Sequence, residues 1–163
     1  MKILSMKTTI FLGAMLSLLV CLMVTGCSNS ETNSTSRGLT DFAHIEEEYL
    51  ATIDSLNWPD GITLPDKLED EDTGASFQVG YGETRASYLW EYSWMKEWLD
   101  TYNTDPERAE KALEELEKAF DMPYMGIDRC DDATRNYLRE NIDKAKLGDP
   151  SGFTESIRAN YAN

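Results

Sequence analysis

The chain has 163 residues, 30 of them acidic and 15 basic, for a formal charge of −15, and 41% of its residues are apolar. That balance excludes a phosphate-binding nucleic-acid surface, which needs Lys and Arg to displace counterions. It equally excludes docking on anionic lipid through a basic patch, and the length holds one domain of ordinary size.

At the start of the chain, Lys2 and Lys7 lead into an uncharged, apolar run over residues 10–24. A basic opening followed by such a run is the layout of an export signal. The run falls short of the roughly 20 residues that span a bilayer as a helix, and a polar stretch follows it. Residues 1–26 therefore read as a removable signal peptide and not as a permanent membrane span. At its end stands Val24-Thr25-Gly26-Cys27, which resembles the lipobox of bacterial lipoproteins. The resemblance implies cleavage before Cys27, acylation of its sulfur with diacylglycerol, and a protein held by that lipid on the extracytoplasmic face of the cell envelope. Two or more acyl chains anchor stably where one holds only marginally. Ser28, where an Asp would retain such a protein at the inner membrane, implies the outer membrane in a two-membrane bacterium.

Without residues 1–26, 13 basic side chains face 30 acidic ones, so the exported chain is more acidic, at −17. Cys21 leaves with the signal and Cys27 is alkylated, which leaves Cys130 without an intramolecular disulfide partner. Packing must then supply the stability. Residues 27–38 comprise the lipidated cysteine and a tether without large apolar side chains, unable to offset the entropy of ordering by burial. Residues 39–163 read as a single helical domain.

Within that domain Phe42, Ile45, Tyr49, Ile53 and Leu56 recur at helical spacing after Thr40 and Asp41, either of which can cap. This phase leaves Glu46, Glu47 and Glu48 largely outside. Asn57-Trp58-Pro59-Asp60-Gly61 ends the helix, and Pro65 and the acids from Glu69 to Asp72 extend the loop. Phe77-Gln78-Val79 alternates as a short strand would. A second helix is predicted over residues 84–103. On it Trp90, Trp94, Trp98 and Tyr102 form one stripe, and Tyr88, Tyr92, Met95 and Leu99 form another, as on a central helix packed on two sides. Asp105-Pro106 opens a third helix with Ala109, Ala112, Leu113, Leu116 and Phe120 inward. Asp131 or Asp132 opens a fourth with Ala133, Tyr137, Leu138, Ile142 and Ala145, closed by Gly148, and Asp149-Pro150 a short last one with Phe153, Ile157 and Tyr161. The fold class is mainly α, a small bundle of four or five helices, with one candidate short strand near residues 77–79.

Glu91 is the most informative internal residue, because its direction on the wheel lies between those of Trp98 and Tyr102, inside the apolar sector. A carboxylate there is desolvated and its pKa raised unless a partner meets it. One reading gives it an Arg or Tyr partner in the bundle, with Arg85, Arg129, Arg135 and Arg139 available. The other makes Glu91, Trp98 and Tyr102 a ligand site suited to an organic cation. The remaining candidates are weaker. Cys130 precedes a helix start but is surrounded by Asp128, Asp131 and Asp132, and a catalytic couple would need it to meet His44, the one histidine. Asp66, Glu69, Asp70, Glu71 and Asp72 invite calcium, yet counted from Asp70 an EF-hand lacks its glycine at Ala75 and its glutamate at Tyr81. Gly80-Tyr81-Gly82 resembles a truncated phosphate loop, with Glu83 set to repel the anion. No metal, cofactor or complete catalytic set is expected. The sequence favours a non-enzymatic module that binds an unknown envelope or extracellular partner, with a small extracytoplasmic enzyme using Glu91 as the alternative.

Overall fold

Three aspartates start three of the helices. The side chain of Asp41 accepts from the His44 N–H at 3.1 Å, Asp105 from the Arg108 N–H at 3.2 Å, and Asp131 from the Thr134 N–H at 2.7 Å. Each thereby satisfies a donor that the first helical turn leaves unpaired. The helices they open are α1 (Phe42–Ser55), α3 (Pro106–Glu117) and α4 (Asp132–Lys146). Between α1 and α3 runs α2 (Tyr81–Thr101), and α5 (Ser151–Asn160) closes the chain. Two short 3-10 turns, Lys118–Asp121 and Pro123–Met125, join α3 to α4. A minimal antiparallel sheet pairs β1 (Leu39–Thr40) with β2 (Phe77–Gln78), Leu39 opposite Gln78 and Thr40 opposite Phe77. Among the described residues the protein is thus a mainly helical bundle with five α-helices, as its periodicity implies. This computed structural model describes residues 38–69 and 71–161. Residues 1–26, which the sequence reads as a signal peptide, Cys27, residues 28–37 of the expected tether and Asp70 lie outside the described residues. Among the described residues no helix is long and apolar enough to cross a membrane.

The central position of α2 follows from its two apolar faces. Ala86 packs with Ile45, Tyr49 and Ile53 of α1 and Leu68 of the following loop. Trp90, Trp94, Met95 and Trp98 pack with Ala112 and Leu116 of α3, Leu138 and Ile142 of α4, and Phe153 of α5. The α2 tryptophans are core, and the indole N–H groups of Trp90 and Trp94 are satisfied. Trp90 and Trp94 both donate their Nε1–H to the Asn57 carbonyl, at 2.8 and 3.1 Å, and Trp58 donates to the Ile53 carbonyl at the end of α1. Three indoles therefore fix the turn between α1 and the loop. Ser87, Ser93 and Thr101, buried on α2, donate to the carbonyls four residues earlier, which lets hydroxyls sit in an apolar contact.

Helix α2 begins three residues earlier than its apolar period predicts, and the cause is Glu48. The Glu48 carboxylate accepts from the N–H of Gly80 at 2.8 Å and of Gly82 at 3.2 Å. Glu48 is therefore turned toward the N-terminus of α2, a correction to the expectation that Glu46, Glu47 and Glu48 face solvent. Glu46 is also engaged, accepting from the Leu68 N–H at 3.3 Å. The unpaired donors and positive dipole end of α2 attract an anion, and α1 supplies one from its own side chain. The phosphate-loop resemblance of Gly80-Tyr81-Gly82 is thus accounted for by an internal carboxylate. Gly80 adopts φ +88°, and a Cβ on Gly82 would stand 1.8 Å from the Ile45 carbonyl oxygen. An alanine in a helix ordinarily adds stability relative to glycine. Here Gly82→Ala is expected to cost about 1 to 3 kcal/mol, because α1 must move off α2. Urea denaturation measures it, and a gain in stability would show that the two backbones do not meet as described.

The fourth helix is rotated relative to its predicted seam. Leu138, Asn141, Ile142 and Ala145 are buried, whereas Ala133 is exposed and Tyr137 is 41% exposed. Phenolic and small side chains tolerate either side of such a boundary, so the leucine and isoleucine set the phase.

Candidate functional site

Glu91 is the buried acid that the helical wheel implies, at 7% exposed. None of the four candidate arginines meets it. Arg85 pairs with Glu71 at 3.3 Å and Arg129 with Glu83 at 2.6 Å. Arg135 pairs with Asp132 and donates to the carbonyls of Met125 and Cys130, and Arg139 lies 4.5 Å over the Phe120 ring. The partner is instead Tyr124, whose hydroxyl donates to Glu91 Oε2 at 2.9 Å. Burial pushes the Glu91 carboxyl from 4.5 up to about 7, and the hydrogen bond from Tyr124 opposes the shift only in part.

The carboxyl lines a cavity of about 420 Å³ bounded by α2, α4, α5 and the second 3-10 turn. Arg85 and Tyr88 come from α2, Met125 from the turn, Thr134 and Tyr137 from α4, and Ser156 and Asn160 from α5, with Tyr161 just beyond it. That size lies within the range of small-molecule sites. Glu91 is the only carboxylate in the lining. Tyr88 and Tyr137, 40% and 41% exposed, leave the cavity open to solvent. The tyrosines are linked to one another as well: Tyr88 stands edge-on to Tyr124 with centroids 5.7 Å apart. The hydroxyls of Tyr124, Tyr161 and Tyr88 all have raised pKa values, burial being the main cause and the Glu91 charge the next. All three thus lie within electrostatic reach of one carboxylate. Arg135 holds the segment carrying Tyr124 and Met125 through the two carbonyls it binds.

Trp98 and Tyr102 do not join Glu91. They share its direction around the helix, but the rise of 1.5 Å per residue places them about 10 and 16 Å further along the axis. They stack on each other at 4.6 Å and line a separate cleft with Pro106, Glu110, Glu114 and Lys146. The three-residue ligand site expected from the wheel is therefore split between two places, and the residues that do surround Glu91 come from segments the periodicity did not connect to it.

The other candidates have structural partners. His44 Nε2 lies 3.3 Å from Glu48, while Cys130 contacts the Met125 sulfur and the Asp131 carbonyl, each at 3.5 Å. The two are engaged separately and form no couple. Burial raises the Cys130 thiol pKa, and Arg135 opposes the rise, so this free thiol is not activated. In the acidic loop Glu71 accepts from the Tyr81 hydroxyl at 2.7 Å, and Lys67 pairs with Glu69 at 2.9 Å. Among the described residues no three His, Cys, Asp or Glu side chains are grouped to hold a metal.

The fold and the cavity define the class of molecule: a small helical bundle with one buried, cation-free carboxyl at an open tyrosine-lined cavity. No protein-family model matches the chain, and neither curated proteins nor solved structures show a match.

Proposed function

We propose that the protein is a lipid-anchored binding module on the extracytoplasmic face of a bacterial envelope, with the Glu91 cavity as its ligand site. The anchoring half of this reading rests on Val24-Thr25-Gly26-Cys27 and the apolar run before it. The binding half rests on one observation: Glu91 is buried at the wall of an open cavity and is matched by a single tyrosine hydroxyl and no cation. A buried ionisable group without a charged partner is costly, and such groups concentrate at sites that use them.

Two experiments test the two halves. Cys27→Ser is expected to abolish labelling by a palmitate analogue and leave the precursor uncleaved, and undiminished labelling would end the lipoprotein reading. For the cavity, p-cresol serves as a neutral aromatic probe. Its titration is expected to shift the amide resonances of Tyr88, Tyr137 and Tyr161 together, and shifts confined to other residues would remove the cavity as a site.

A second reading, an enzyme using Glu91 as acid or base, draws on the carboxyl's value of about 7, which suits proton transfer near neutrality. No His, Lys, Cys or second acid lines the cavity to complete it, and binding is the better supported function.

A further inference from the structure

The binding reading leaves the ligand open, and the inference that follows rests on that reading. The cavity contains one acceptor-only charge, on Glu91, surrounded by tyrosine rings and neutral hydroxyl and amide groups. An anion would meet Glu91 as a like charge. A bare divalent cation needs several oxygens, commonly more than one carboxylate, and Glu91 is the only one in the lining. The single guanidinium, Arg85, is 44% exposed and already paired with Glu71, so it marks the rim and does not neutralise Glu91. A group with one positive charge and an apolar surround answers both features, since ring faces attract such cations and Glu91 supplies the counter-charge.

We propose that the Glu91 cavity binds an organic ammonium ion, with the Glu91 carboxylate receiving the charge and Tyr88, Tyr137 and Tyr161 enclosing the carbon groups around it. A shallower groove of about 270 Å³ shares Arg85, Tyr88 and Tyr161 with the cavity and runs to Tyr49, Leu68 and Leu89. A substituent on the ammonium leaves by that route. The acidic surface, −17 after removal of the signal, raises the local concentration of cations in general and favours their capture. An ammonium group is carried by free amines and also by lipid headgroups, and both sources present the same chemistry to Glu91.

The test uses the full-length protein in non-ionic detergent, with choline, tetramethylammonium and propylammonium as probes and 3,3-dimethylbutanol as the neutral isostere of choline. At least one ammonium probe is expected to bind at a single site. Its shifts should fall on Tyr88, Tyr137 and Tyr161, with affinity at least about tenfold above the isostere, which is about 1.4 kcal/mol. Glu91→Gln should remove that advantage and leave isostere binding unchanged. Tyr88→Ala, at a ring that is 40% exposed, should weaken the ammonium probe as well. Vesicles of phosphatidylcholine or phosphatidylethanolamine separate the sources. Vesicle capture lost in Glu91→Gln and competed by choline assigns the headgroup, and binding of the soluble probes alone assigns a free amine. Equal binding of choline and its isostere, unaffected by Glu91→Gln, overturns the ammonium inference and leaves the cavity reading intact. If no ammonium probe binds and p-cresol still does, the inference again fails alone. If nothing shifts the cavity residues, both fall.

Discussion

Trp94→Ala is expected to destabilise the domain by about 3 to 5 kcal/mol through the cavity left behind. Trp94 is 1% exposed and lies among the apolar side chains of the α2 to α5 cluster. Its hydrogen bond is not the main loss. Trp90 also donates to the Asn57 carbonyl, at 2.8 Å, so that acceptor stays satisfied when the Trp94 indole is removed. The cost is therefore one of packing, and Trp94→Phe, which retains an aromatic ring in the same place, should recover well over half of it. Domains of this kind hold about 5 to 15 kcal/mol in total, so the alanine variant is expected near the edge of folding, with its Tm lower by more than about 10 °C. A Tm within a degree or two of wild type would mean that the tryptophan stripe is not the core.

The helical elements were legible because their information is local. Aspartate caps, Pro106 at the start of α3, Gly148 after α4 and the tryptophan spacing on α2 each act within a turn or two, and the structure places them where the pattern does. Glu91 was legible for the same reason, since burial of a position on a central helix depends on its angle alone. Its surroundings were not. A wheel discards the axial coordinate, which is why Trp98 and Tyr102 looked like neighbours of Glu91. Tyr124 lies in an aperiodic stretch of two 3-10 turns, where no hydrophobic period marks an inward side chain. The position of Glu48 is not written in its own helix, because it is set by the unpaired N–H groups of another helix 32 residues away. Gly80-Tyr81-Gly82 is the one local signal for such a contact, and it fits an external anion as well as an internal carboxylate.

Neutralising Glu91 is expected to make the protein more stable in mild base and to change little in mild acid. Burial raises the folded-state pKa from 4.5 to about 7, so the folded protein holds this proton more tightly than the unfolded chain does. The stability associated with the neutral carboxyl is complete below about pH 4.5 and is lost as pH rises through 7. Once the group is fully ionised, the difference amounts to about 3 kcal/mol. The shifted groups within its electrostatic reach do not titrate in the same window. Tyr88 on α2, Tyr124 on the 3-10 turn and Tyr161 beyond α5 are all shifted upward from 10, Cys130 is shifted upward from 9, and Arg85 is paired with Glu71. Tyr137 of α4 also lines the cavity. Glu91→Gln retains an acceptor for the Tyr124 hydroxyl and carries no charge at any pH, so the comparison of the two proteins reports the charge at position 91. Denaturant melts should therefore find the variant close to wild type at pH 5 and about 3 kcal/mol above it at pH 8.5. A loss of stability in the variant at pH 8.5 would instead show that the Glu91 charge is compensated in the folded state, and the cavity would then lack the unmatched carboxylate on which ligand binding depends. With choline present the difference should shrink at pH 8.5 and stay unchanged at pH 5, because the cation stabilises only the ionised form.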